Sequence, residues 1–202
     1  GKYGEGTRLW DPAANLDAAD KISKLQCAAN GSSVYNIYAD NQQYGAQRTY
    51  RKLIYDLKQA YESAPKKYDV EFFPYDWRMS CEEAATALDT FINSKGYGSV
   101  VLVAHSMGGL VASHYLAKGQ AQRNKVDKMI SLGTPFLGAP QLVDVYKNGM
   151  DFGFLAGLID VPGVIRDLMP NIKSVYELLP TSKWFELTGE KYYTYELFDP
   201  IA

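Results

Sequence analysis

Residues 47 to 61 carry Tyr50, Leu53, Ile54, Leu57 and Tyr61 at spacings of three and four, which predicts an amphipathic helix ended by Pro65. Residues 69 to 74, Asp-Val-Glu-Phe-Phe-Pro, read as a strand. A second helix is predicted over 82 to 93, with Ala84, Ala87, Leu88, Phe91 and Ile92 on its inner face. Gly96 and Gly98 then punctuate the chain before Val100-Val101-Leu102-Val103, an unbroken apolar run suited to a parallel strand buried on both faces. A helix follows over about 107 to 118, then a strand over 125 to 132. Residues 1 to 32 read as irregular, and 34 to 38 as a short extended piece that alternates weakly. Strand and helix in alternation predict βαβ units, right-handed crossovers and a parallel sheet with flanking helices. Functional groups are then expected at the carboxyl ends of the strands.

Residues 141 to 190 depart from this pattern. Phe152, Phe154, Leu155, Leu158, Ile159, Val161, Val164, Ile165, Leu168 and Met169 are crowded but interrupted by Gly153, Gly157, Pro162, Gly163 and Pro170. Such breaks rule out one long helix. The stretch reads either as a mostly helical cap over the sheet or as residues completing the core. The chain is divided at 140 on this basis, into a core of residues 1–140 and a cap or lid region of residues 141–202.

The junction between the central strand and its helix carries the candidate chemistry. Ala104-His105-Ser106-Met107-Gly108 places a serine on a sharp strand-to-helix turn, the context of a nucleophile elbow. Ala104 stands where that motif usually has glycine. Gly108 and Gly109 are expected to let the helix approach the strand. The bland alternative makes Ser106 a helix cap, but it leaves two glycines in a first helical turn unexplained.

Composition narrows the class. The chain has 202 residues, enough for one domain with a real core, and a net charge of −2, which argues against nucleic acid. No apolar run reaches the ~18 residues a bilayer span needs, and the start shows no signal peptide. Cys27 and Cys81 can be one disulfide or two free thiols. Only two histidines occur, His105 and His114. A serine nucleophile needs a base within reach. His105 adjoins Ser106 but should diverge from it. His114 lies eight residues on, about 12 Å away along a helix, and reads as a partly buried helix residue. Lys95 and Lys118 lie at far ends of the flanking elements. Asp76 is expected to cap a helix start, and Arg78 to brace its loop through bidentate bonds.

Four segments recur in one order: Phe73-Pro74-Tyr75-Asp76-Trp77-Arg78, Ala104-His105-Ser106-Met107-Gly108-Gly109, Leu132-Gly133-Thr134-Pro135-Phe136-Leu137-Gly138-Ala139-Pro140, and Ser174-Val175-Tyr176-Glu177-Leu178-Leu179-Pro180. Together they resemble the lecithin:cholesterol acyltransferase and lysosomal phospholipase group of α/β-hydrolases, over residues 5 to 195. The resemblance implies a partial α/β-hydrolase fold with a lipid-covering lid. It implies a Ser-Asp-His triad in that chain order, with Ser106 as nucleophile and the backbone N–H of Met107 as one oxyanion donor. A second donor would come from a loop before a segment like Arg8-Leu9-Trp10, and the acid and base from beyond the cap; Asp199 is the least remote acid in this chain.

The expected function is acyl transfer from a lipid or related ester to water or an alcohol through an acyl-enzyme on Ser106, with no cofactor or metal. Without a usable base, the chain is expected to be an inactive part of such an enzyme. The alternative is an acyl-chain binding module on the same scaffold. Expected partners are a lipid substrate, a membrane or lipid surface, and another chain pairing along an open strand edge. A secreted or membrane-surface location is compatible with this reading; nothing in the sequence fixes it.

Overall fold

The computed structural model describes residues 23–39, 48–62, 64–65, 68–143 and 167–189, with the backbone of residues 2–3 and 7–8. A small antiparallel ladder joins β1 (Lys2–Tyr3), β2 (Thr7–Arg8) and β3 (Ile37–Tyr38), with β1 in the middle. Two-residue strands are too short to show a period, so the expectation of an irregular segment over 1 to 32 misses β1 and β2, whereas β3 lies within the extended piece expected over 34 to 38. Between these strands the chain from 26 to 34 folds back on itself. Ala28 N–H donates to Ser32 at 2.8 Å and Val34 N–H to Gln26 at 3.1 Å.

Helix α1 (Arg48–Glu62) follows most of the predicted stripe: Tyr50, Ile54, Leu57 and Tyr61 are its half-buried positions, whereas Leu53 is exposed, contrary to expectation. Helix α2 (Cys81–Ser94) starts one residue earlier than expected. Ser80 closes a capping box with Glu83, each side chain taking the other's backbone N–H. Its buried face is Cys81, Ala84, Ala85, Leu88 and Ile92. Ala87 is exposed, contrary to expectation. The stripe set by 81, 84, 88 and 92 takes in 85 and leaves 87 on the flank.

Strand β4 (Val100–His105) leads through helices α3 (Met107–Ala117) and α4 (Gln120–Lys125) into strand β5 (Val126–Leu132). The two strands pair in parallel, from Val101 opposite Lys128 to His105 opposite Leu132. This is the predicted βαβ unit. The fold is a mixed one of helices around a small parallel sheet.

Two expectations about the strands are corrected. Residues 69 to 74 form no strand and belong to no ladder among the described residues. Their apolar residues pack sideways instead, with the Phe73 ring 5.3 Å from Phe91 of α2. Strand β4 is not buried on both faces. Its positions alternate, and Val103 on the open face is 46% exposed beside Ile130 at 40%. Helices α2 and α3 cover only the other face.

Two hydrophobic clusters hold the described chain together. One packs α2 against α3 through Cys81, Ala85, Leu88, Ile92, Met107, Val111 and Tyr115. The other gathers Leu25 and Cys27 with Leu142, Leu168, Met169, Ile172 and Val175. Leu178 touches both. It ends helix α5 (Lys173–Leu178), which follows a 3₁₀ turn (Met169–Asn171) and precedes helix α6 (Ser182–Thr188). Within the 141 to 190 stretch, the described residues 168 to 175 thus contribute buried side chains to a cluster shared with residues 25 and 27. Residues 144 to 166 and 190 to 202 lie outside the described residues, as does Asp199.

Candidate active site

Ser106 sits between the last residue of β4 and the first of α3, with φ 53° and ψ −129°. It is the one non-glycine residue with positive φ among the described residues. For an L-residue that conformation is strained, and it persists only where neighbours over-determine it. The neighbours are evident. Ser106 N–H donates to Leu132 O at 2.9 Å, which carries the β4–β5 ladder into the turn. Gly109 N–H donates to Ser106 O at 3.0 Å and closes the first helical turn. The Ser106 side chain makes no capping bond, so the cap alternative fails. Its hydroxyl has no partner among the described residues. The N–H of Met107 is the first of α3 and belongs to the set that a helix leaves without an intrahelical acceptor.

Two loops converge on this turn, as expected. From one side comes Thr134. A Cβ on Gly109 would collide with Thr134 Oγ1 and lie 2.6 Å from Cγ2 and 2.7 Å from Cβ. Gly109 is therefore fitted to Thr134 of the loop after β5, and not to the strand before the helix as the sequence suggested. From the other side comes Tyr75, whose hydroxyl stands 3.9 Å from where a Cβ on Gly108 would be.

The loop bearing Tyr75 is fixed by a buried ion pair. Arg78 is 0% exposed. Its Nε donates to Asp76 Oδ1 at 2.9 Å and its Nη2 to Oδ2 at 2.5 Å. Further bonds run to Leu25 O at 3.1 Å and Ser33 Oγ at 3.0 Å. The bracing role expected for Arg78 holds. Asp76 does not cap α2; Ser80 does. The Asp76 carboxylate instead takes the guanidinium and the Arg78 N–H.

Neither histidine is placed as a base for Ser106. His105 is exposed on the open face of β4, where it shares a 2.5 Å hydrogen bond through Nδ1 with the Tyr50 hydroxyl. His114 is exposed on α3, not partly buried as expected. It falls between Val111 and Tyr115, which take the buried side. The lysines are engaged elsewhere: Lys95 donates to Glu71 and Lys118 to Thr86, both at 2.8 Å. Lys95 lowers the Glu71 carboxyl below its usual range chiefly through that bond.

Cys27 and Cys81 are free and buried, in different clusters. Burial raises both thiols above the ordinary range, and Glu177 raises Cys81 further. They are inert core residues. Tyr50 and Thr134 were not singled out from sequence. Tyr50 reads as one more member of a helical stripe, and nothing in the loop pattern distinguishes Thr134 from its neighbours.

Comparison with known proteins places this arrangement. The family model described as Lecithin:cholesterol acyltransferase matches residues 29–198. The chain is 29% identical over 124 residues to Lecithin-cholesterol acyltransferase-like 4 of Arabidopsis thaliana, covering 55% of this chain and 23% of the relative. It is 31% identical over 103 residues to Phospholipase A(1) LCAT3 of the same plant, covering 48% and 23%. It is 36% identical over 89 residues to Lysosomal phospholipase A and acyltransferase of Canis lupus familiaris, covering 40% and 22%. The chain thus spans under a quarter of the length of each. With most of its length matched and the strained serine turn inside the match, the chain belongs to the lecithin:cholesterol acyltransferase family.

Proposed function

We propose that this chain is the nucleophile-bearing part of a lipid ester hydrolase or O-acyltransferase. The observation that carries the reading is the conformation of Ser106, φ 53° and ψ −129°, with its hydroxyl unpartnered at a strand-to-helix turn. A fold has no structural use for that strain in a serine that caps nothing. Ser106 Oγ attacks the acyl carbonyl, and the Met107 N–H receives the developing oxyanion. The scaffold is a partial α/β-hydrolase. Residues 141–202 form its cap, anchored by Leu168, Met169, Ile172 and Val175 on the cluster around Leu25. A lipid supplies the acyl group, and a lipid surface is the natural place to meet it. Among the described residues no strand pairs with the β4 edge away from β5, and we assign that edge to strand pairing with another chain.

The chain by itself is inert in this proposal, because His105 is engaged by Tyr50 and His114 lies exposed two turns along α3 from Ser106. The same placement favours a second reading, an acyl-chain binding module that performs no chemistry. Hydrolysis of a short p-nitrophenyl ester separates these readings. The 202-residue chain and its Ser106→Ala variant should run at equal, background rates. The protein from the complete reading frame should turn over, and Ser106→Ala should abolish it to the residual 10³–10⁴ over water, on the order expected when a triad member is lost. Turnover by the 202-residue chain on the order of 1 s⁻¹, lost in Ser106→Ala, would show that a base lies within it. A complete protein indifferent to Ser106→Ala would leave only the binding module.

A further inference from the structure

The Tyr75 side chain presents an unexplained polar group. Its ring stacks on Phe73, with centroids 6.0 Å apart and planes 20° from parallel, and packs on the cluster around Cys81. A phenylalanine would fill the same space, as Phe73 does two residues earlier. Yet Tyr75 carries a hydroxyl that makes no hydrogen bond among the described residues. Tyr75 is half-buried and its hydroxyl is not among the fully buried polar atoms, so its open side can meet an approaching group. The hydroxyl is not randomly placed either. It arrives at the first turn of α3, 3.9 Å from the Cβ position of Gly108, one residue from the Met107 N–H.

The other tyrosine near the turn behaves differently. Tyr50 spends its hydroxyl on His105. Tyr75 keeps its own, and its loop is held in place, because the next residue is Asp76 of the buried Arg78 pair. A donor that is fixed before substrate arrives needs no reorganisation during reaction.

We infer that the Tyr75 hydroxyl is a side-chain hydrogen-bond donor to the acyl substrate at Ser106, additional to the backbone donors, meeting the carbonyl oxygen as it becomes an oxyanion beside the Met107 N–H. This rests on Ser106 being the nucleophile. Tyr75 transfers no proton; it donates a hydrogen bond that strengthens as charge develops. Burial holds its hydroxyl above the usual tyrosine range, so it remains a donor across the neutral range.

The test uses the protein from the complete reading frame, p-nitrophenyl butyrate as substrate, and a fluorophosphonate that labels activated serines. Tyr75→Phe keeps the ring and removes the donor. It should lower kcat roughly 10²-fold or more, the scale for one lost oxyanion donor, with KM changed less than about threefold and the unfolding midpoint unchanged or raised. Fluorophosphonate labelling should slow in parallel. Tyr50→Phe, which removes a hydroxyl bonded elsewhere, should leave kcat within about threefold. If Tyr75→Phe retains wild-type kcat while Ser106→Ala is dead, this inference falls and the nucleophile stands. A rise in KM alone would make Tyr75 a contact for ground-state binding and would equally overturn the oxyanion role. Turnover that survives Ser106→Ala, or no turnover and no labelling in the wild type, removes the reading beneath it.

Discussion

Asp76→Ala should destabilise the folded chain by about 3–5 kcal/mol, and more than Arg78→Met does. The order follows from which charge is stranded. Without Asp76, a guanidinium with 0% exposure is left with Leu25 O and Ser33 Oγ but no anion. A guanidinium cannot discard its charge, so the burial penalty stands in full. Without Arg78, the stranded group is a carboxylate 21% exposed, which can draw water. The Leu25 carbonyl and Ser33 hydroxyl lose their donor as well, so Arg78→Met should still cost about 2–3 kcal/mol. The double variant should be milder than the two losses added, since the partners are in direct contact. Urea unfolding followed by tryptophan fluorescence measures all three. Equal losses in the two single variants would mean that water reaches Arg78 and the pair is not buried in solution.

Gly138→Ala is the second large effect. Gly138 has φ 92°, where a side chain is strained whatever the space. A Cβ there would also lie 2.5 Å from Leu179 C and from Pro180 Cα. Both are backbone atoms and cannot rotate aside. The loop and residues 178 to 181 are joined by Ala139 N–H to Leu178 O at 2.7 Å and Thr181 N–H to Leu137 O at 2.9 Å. Relieving the clash parts those two bonds, each worth about 1 kcal/mol net. With about 1–2 kcal/mol of backbone strain, the loss should be about 3–4 kcal/mol. Gly96→Ala is the control. Gly96 has φ 68° but nothing within 4 Å of a Cβ, so only the strain applies. If the two variants unfold at the same urea concentration, the loop and the 178–181 segment are not in contact in solution.

What the sequence made legible follows how far each signal reaches along the chain. The turn at Ser106 is written in ten consecutive residues, and the structure has it where expected. The stripes of α1 and α2 are local too, and their errors are confined to two positions, Leu53 and Ala87. The strand over 69 to 74 was misread because a ladder depends on a neighbour, and Phe72 and Phe73 favour an extended chain whether or not one is paired. Half-exposure of β4 was invisible for the same reason: Val101 and Val103 look like core until the second face is seen open. At the site, Arg78 reaches beyond its neighbour Asp76 to residues 25 and 33, and Thr134 meets Gly109 from the far end of β5. No spacing rule connects such positions.

The two hydrophobic clusters also set an order of assembly. The one around Cys81 and Tyr115 closes a short span of chain, helped by helices that form locally. The one around Leu25 and Val175 must bring together residues from nearly opposite ends of the described chain. A closure about four times longer costs about 1.3 kcal/mol more in chain entropy before any contact repays it. Contacts of long sequence separation also form slowly. The serine turn and its two flanking elements therefore form early, as a template, and residues 168 to 175 seal against 25 and 27 late. In pulse-labelled refolding, amides of β4 and α3 should gain protection ahead of those of α5; simultaneous protection would mean that the chain condenses as one unit.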